Sequence, residues 1–265
     1  MNSSEHGVNH SRRARSELRS AKRIVVKIGS ALLTNDGQGL DREGIREWVD
    51  QMAACREKGI EVVLVSSGSV AEGMVRLGLS ERPAQLNLLQ AAAAVGQTGL
   101  VNIYEEYFRD HGRGTAQILL THDDLSDRKR YLNARSTITT LLELGAVPII
   151  NENDCVSFDE ITVGDNDQLS ANVAHAIGAN LLVILSDIDG YYDKNPKEFD
   201  DAKIYKILDK FPKGALDEEP SANNPFATGG IVTKLKAAEF MMQHGKKMFL
   251  TNGFDLSAAR SFLLE

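Results

Sequence analysis

A lysine interrupts an apolar run at Ile24-Val25-Val26-Lys27-Ile28, just before Gly29-Ser30. On an exposed sheet edge such a lysine would be ordinary. Four apolar neighbours argue instead for a cation held at a buried strand end, where the glycine turn would let a phosphate approach. A second constellation is Gly164-Asp165-Asn166-Asp167-Gln168. Asp165 with Gln168 has the form of a helix capping box, but a cap needs only one acid. Two carboxylates this close call for a cation, an ammonium group or lysines to offset their repulsion. A third is Asn151-Glu152-Asn153-Asp154, four hydrogen-bonding side chains in a row at the end of an apolar stretch. Asx-turns account for such residues one at a time; four together suit the reading of a small polar molecule. The fourth is Thr228-Gly229-Gly230-Ile231-Val232-Thr233-Lys234. Its glycines would free backbone N–H groups for phosphate oxygens. Lys234, expected in the first helical turn, would meet the positive end of the helix dipole unless an anion docks there.

Elements that could position these groups alternate along the chain. Strands are expected at 24–28, 61–65, 115–121, 147–150, 181–185 and 247–250. Helices are expected at 41–58, 84–110 (with a bend at Gly96 and Gly99), 131–144, 168–177 and 233–244. Apolar strands alternating with helices predict an α/β fold with a mostly parallel sheet covered on both faces. Strand after strand runs into Gly, Ser, Asn or Asp, including Ser66-Ser67-Gly68-Ser69 and Ser186-Asp187. In open α/β sheets ligands bind beyond those carboxyl ends. Residues 209–227, rich in Pro, Asp, Glu and Asn, read as a flap or insert. Arg128-Lys129-Arg130 reads as a solvated turn.

Composition sets bounds. Hydrophobic residues make up 42% and charged residues 25% of the chain, enough for one large α/β domain. A net charge of -7 gives no nucleic-acid footprint, and no apolar run reaches membrane-span length. Cys55 and Cys155 cannot form a disulfide framework, which makes a reducing, cytoplasmic setting the expectation. Residues 1–21 are polar and basic without an apolar core, so a disordered tail is expected there and a domain over 22–265. The GxxxxGK(S/T) loop, a GxGxxG after the first strand and the protein-kinase HRD and DFG motifs are all missing.

Taken together, Val25 to Ser30, Val65 to Ser69, Ala94-Val95-Gly96-Gln97, Leu132-Asn133-Ala134-Arg135, Ile150 to Asp154, Val163 to Ser170 and Thr228 to Lys234 form a family pattern. Over nearly all of residues 22–265 the chain resembles the glutamate 5-kinases of the amino-acid kinase family. The resemblance implies a three-layer αβα sandwich of the amino-acid kinase, carbamate kinase-like type. It implies transfer of the ATP γ-phosphoryl group, with Mg2+, to the side-chain carboxylate of L-glutamate, the first step of proline biosynthesis. In that reading Lys27 and Lys234 stabilise the transferring group and Asp167 orients both. Ser67, Asn151, Asp154, Asp165 and Asn166 hold glutamate. Lys27, Gly29, Ser30, Ser186, Asp187 and the segment Thr228, Gly229, Gly230, Ile231, Val232, Thr233, Lys234 hold ATP. No protein ligand to a metal is assigned. Proline as feedback inhibitor, a homo-oligomer and hand-over of the acyl phosphate to glutamyl phosphate reductase are implied as well. Neither a nucleic-acid nor a membrane partner is expected.

The sequence departs from the family at Ala227, Asn195 and Thr162, where glycine, aspartate and, in some members, lysine are usual. Many bacterial members carry a C-terminal PUA domain; none is expected here. Two alternatives stay open: a relative acting on aspartate, acetylglutamate or UMP, and a non-catalytic sensor of ATP or an amino acid. A dehydrogenase on a Rossmann-like sheet is a weaker third.

Overall fold

The computed structural model describes residues 16–34, 39–157, 166–196, 198–211, 215–216 and 230–257. In chain order the elements are β1 (Arg23–Ile28), α1 (Ser30–Leu33), α2 (Arg42–Glu57), β2 (Glu61–Ser66), α3 (Ser69–Leu77), α4 (Leu86–Asp110) and β3 (Thr115–Leu120). There follow α5 (His122–Ser126), α6 (Arg128–Glu143), β4 (Val147–Glu152), α7 (Asp167–Ala176), β5 (Leu181–Ser186), α8 (Gly230–Gln243) and β6 (Lys247–Asn252). The six strands form one sheet in the order β3-β4-β2-β1-β5-β6, and every pairing is parallel. β2, β4 and β5 are almost uninterrupted apolar runs because both their faces are covered. One apolar cluster joins Ile24, Val26, Leu64 and Val183 to α2 and α4 through Trp48, Tyr104 and Phe108. The other joins Val25, Val63, Ile150 and Ile184 to α6, α7 and α8. Helices on both faces of a parallel sheet give the three-layer sandwich that the alternation predicts.

β1 lies in the middle of the sheet, between β2 and β5. Lys27 therefore cannot be an edge lysine; it is 3% exposed. The switch in strand order at β1 opens the crevice above its carboxyl end, where β2 leads to one side and β5 to the other.

Several sequence expectations need correction. The long helix α4 runs continuously from Leu86 to Asp110 through Gly96 and Gly99. Both glycines permit close packing. A Cβ on Gly96 would lie 1.7 Å from the Ser69 carbonyl oxygen, and one on Gly73 would lie 1.6 Å from that of Ala92. The unforeseen partner is α3, a nine-residue helix hidden by the glycines that precede and interrupt it. Arg128-Lys129-Arg130 opens α6 rather than a turn, with Asp127 accepting from the Arg130 N–H as N-cap. Strand β4 continues through Asn151 and Glu152, which the polar side chains had disguised as a loop. Lys234 is the fifth residue of α8, past the first turn. Order extends earlier than Lys22: Leu18 packs on the core, and Glu17 pairs with Lys247. The rest of the predicted tail, at residues 1–15, lies outside the described residues, as does most of the predicted flap.

Candidate active site

At the carboxyl end of β1, the Lys27 ammonium lies 2.7 Å from Asp167 Oδ1. The Lys234 ammonium lies 3.0 Å from Oδ2 of the same carboxylate. These residues come from three separate elements, β1, α7 and α8. Their exposures are 3% for Lys27, 0% for Asp167 and 8% for Lys234. Asp167 is the first residue of α7, where a carboxylate suits the helix dipole. Thr233 Oγ1 lies 3.2 Å from its Oδ2. Among the described residues, two lysine cations share this one carboxylate in a site screened from water. Such a site attracts an anion strongly, because the low local dielectric magnifies the interaction.

Around this cluster the strand ends supply little bulk. Gly29 donates its N–H to the Leu185 carbonyl at 3.4 Å. Its contribution is space: a Cβ there would stand 3.6 Å from the Lys27 Nζ. Ser30 is exposed at the start of α1. On the other side, Ser186 donates to Asp187 Oδ1 at 3.1 Å, and the Asp187 side faces solvent. Ile231 and Val232 are packed with Leu235 and Ala215, flanked by Ile188 and Tyr191, so their side chains serve the core. Gly230 is exposed at the start of α8. Asp165, Thr228 and Gly229, with the departures at Thr162 and Ala227, lie outside the described residues. Asn195 is buried, and its carbonyl accepts from the Glu198 and Phe199 amides.

The second half of the site is a polar network centred on Asn151. Its Oδ1 accepts from the Glu152 backbone N–H and from Asn166 Nδ2, both at 2.8 Å. Its Nδ2 donates to Gln97 Oε1 at 2.8 Å and, more weakly, to Ser69 Oγ at 3.5 Å. All four hydrogen-bonding positions of that amide have a partner within the protein, the one to Ser69 at the longest distance. Asn166 Nδ2 also reaches Ser67 Oγ at 3.2 Å, and Ser69 Oγ donates to Asp154 Oδ2 at 3.2 Å. Asp154 is pushed up to about 6, first by burial and then by the negative charge of Glu152. The Ser69 hydrogen bond and Arg82 act against that rise.

Ser67, Asn151, Asp154 and Asn166 therefore share one network, and Asp167 follows Asn166 directly, tying it to the lysine cluster. Gln97 and Ser69 belong to the network but carried no role in the sequence reading. Gln97 had stood in the Ala94-Val95-Gly96-Gln97 motif, its only signal. Ser69 had stood beside Ser67.

The profile of the amino acid kinase family matches residues 22–252. The chain belongs to the amino acid kinase family. It is 56% identical over 241 residues to the glutamate 5-kinase of Pseudomonas syringae pv. tomato, an alignment that covers 90% of this chain and 64% of that protein. The chain thus spans rather less than two thirds of that relative's length. Among solved structures, an isopentenyl phosphate kinase substrate complex superposes with a TM-score of 0.58 at 16% identity, covering 90% of this chain and 95% of that one. UMP kinase from Bacillus anthracis superposes with a TM-score of 0.57 at 15% identity, covering 93% of each chain. At such identities these two speak for the fold alone.

Proposed function

We propose that this chain phosphorylates the side-chain carboxylate of L-glutamate with ATP, giving L-glutamyl 5-phosphate and ADP at the start of proline biosynthesis. The observation that carries the reading is the convergence of Lys27 and Lys234 on Asp167. The similarity to a protein named glutamate 5-kinase supplies the substrate class.

The chemical difficulty is charge. A carboxylate oxygen must approach the γ-phosphorus of a triphosphate that is itself anionic. Carboxylates are ionised at neutral pH, so the nucleophile needs no general base. Catalysis then consists of positioning and of cations placed where negative charge gathers. Lys27, from the central strand, and Lys234, from α8, would flank the transferring group, and Asp167 would keep both ammonium groups aimed at it. Phosphoryl transfer forms one O–P bond as the bridging O–P bond to ADP breaks, and ADP leaves with that electron pair.

ATP would lie over the ends of β1 and β5, near Ser30, Ser186, Asp187 and the start of α8. Among the described residues no three His, Cys, Asp or Glu side chains gather to hold a metal, and both Asp167 oxygens already face lysines. Mg2+ would arrive on the nucleotide phosphates, where it would neutralise charge. Glutamate would take the network side, with Asp154 as counter-ion to its ammonium group. Among the described residues no helix is long and apolar enough to cross a membrane, and a cytoplasmic setting accords with the thiol usage. Proline feedback, a homo-oligomer and transfer of the labile acyl phosphate to a reductase complete the proposal.

The test is ADP release dependent on glutamate, with hydroxylamine trapping the acyl phosphate. The wild-type chain should form hydroxamate, and Lys234→Ala should lose about 10²–10³ in turnover. Faster ADP release with aspartate, acetylglutamate or UMP would overturn the substrate assignment.

A further inference from the structure

We propose that Gln97 donates a hydrogen bond from Nε2 to the α-carboxylate of the acceptor amino acid, and so sets acceptor specificity. The inference rests on the function proposed above and deepens it.

The orientation of every amide in the network follows from one unambiguous donor. The Glu152 backbone N–H can only donate, and it points at Asn151 Oδ1. The other end of that amide, Nδ2, is therefore a donor, and the Gln97 atom it meets at 2.8 Å must be the oxygen. Gln97 Nε2 is thereby turned away from Asn151. By the same reasoning Asn166 presents Nδ2 to Asn151 Oδ1 and to Ser67, which leaves its Oδ1 at the far end.

Gln97 is 8% exposed, Asn166 is fully buried and Asp154 is 6% exposed. Among the described residues, Gln97 Nε2, Asn166 Oδ1 and Asp154 Oδ1 are buried atoms with no hydrogen-bond partner. Native structures leave few such groups, and those that remain call for an explanation. One donor and two acceptors, all on residues tied to Asn151 directly or through Ser69, are the complement of a zwitterionic amino-acid head. Its ammonium group would satisfy the two oxygens, and its α-carboxylate would take the Gln97 N–H.

The surrounding packing holds Gln97 at this place. Gly96, its neighbour on α4, lets the Ser69 carbonyl approach to where a Cβ would stand. The backbones of α3 and α4 therefore touch beside the two side chains that reach Asn151 Nδ2. No longer residue at 96 would leave Ser69 and Gln97 both in reach.

The experiment compares kcat/KM for glutamate with that for glutamate α-amide, which lacks the α-carboxylate but keeps the ammonium and the side-chain carboxylate. Gln97→Glu retains an oxygen acceptor for Asn151 but places a carboxylate where the donor stood. The glutamate-to-amide ratio should fall at least about 100-fold in this variant, because like charges now meet and the α-amide N–H₂ can donate instead. Gln97→Met, which loses both the Nε2 donor and the Oε1 that accepts from Asn151 Nδ2, should lower the ratio by about 10-fold or more. KM for ATP should stay near wild type in both, and thermal melting confirms folding; should Gln97→Glu fail to fold, Gln97→Met decides. A role confined to supporting Asn151 predicts an unchanged ratio in Gln97→Glu, and that result overturns the inference alone. Absence of glutamate-dependent ADP release from the wild-type chain overturns the parent reading, and the inference with it.

Discussion

Asp167→Asn is the most informative single change, because one substitution separates the cluster's shape from its charge. Asparagine keeps the volume and one acceptor, but it presents an N–H₂ to one of the two lysines. Among the described residues the wild-type cluster sets two lysines on one carboxylate, and the variant takes that carboxylate from both. At about 3 Å and an effective dielectric of about 20, each lost ion pair is worth roughly 5–6 kcal/mol of gross attraction. Most of that is balanced by desolvation, so the net cost follows the measured range for breaking buried pairs, about 3–5 kcal/mol. For a chain of this size each kcal/mol lowers Tm by about 2–4 °C, so a fall of roughly 10 °C is expected. An anion supplies the missing charge. ATP should therefore raise the melting temperature of the variant more than that of the wild type. Turnover should still drop by about 10²–10³, since lysines drawn onto a nucleotide without Asp167 lose their aim. Melting curves with and without ATP, paired with ADP release, read both effects. A variant that melts within about 2 °C of wild type and keeps half its turnover would refute the electrostatic account of the cluster.

Three further outcomes follow from the same geometry. Asp154 must be ionised to bind an ammonium group, so kcat/KM for glutamate should fall about tenfold per pH unit below about 6. A profile flat down to pH 5 would remove Asp154 from that role. Without ligand the sign for stability reverses. Its folded-state value of about 6 lies above the ordinary 3.8, so its contribution is fully present below 3.8 and is lost as pH rises through about 6. That span corresponds to about 3 kcal/mol, and Asp154→Asn should flatten this part of a urea-denaturation profile. Gly96→Ala should destabilise the chain by about 1–3 kcal/mol or more despite alanine's better helix propensity, because the new methyl meets a backbone oxygen. It should also raise the glutamate KM as Ser69 and Gln97 separate; unchanged urea midpoint and KM would show that α3 and α4 yield freely.

The parts of this molecule legible in the sequence are those where a residue type contradicts its surroundings. Lys27 among four apolar residues announced a buried cation, since a strand cannot bury its neighbours and expose its middle on both faces. The strands were legible because a parallel sheet covered on both sides demands continuous apolar runs, as in Leu181–Ser186. What stayed hidden was decided by contact across distance in the chain. Ser69–Leu77 reads poorly as a helix because it is short and Gly73 in its middle lowers its propensity. Yet Gly73, with Gly96 twenty-three positions on, provides the close packing that brings Ser69 and Gln97 to Asn151. Asn151 and Glu152 looked like loop because polar residues rarely continue a buried strand; here the network satisfies the Asn151 side chain, which is what allows β4 to extend into the site. The division of labour within Asn151-Glu152-Asn153-Asp154 was equally invisible, since sequence gives hydrogen-bonding capacity but not which capacity is already used. Among the described residues, Gln97 Nε2, Asn166 Oδ1 and Asp154 Oδ1 are buried atoms of this network without partners. On the inference drawn above, these atoms, more than any motif, would define the head group that the site receives.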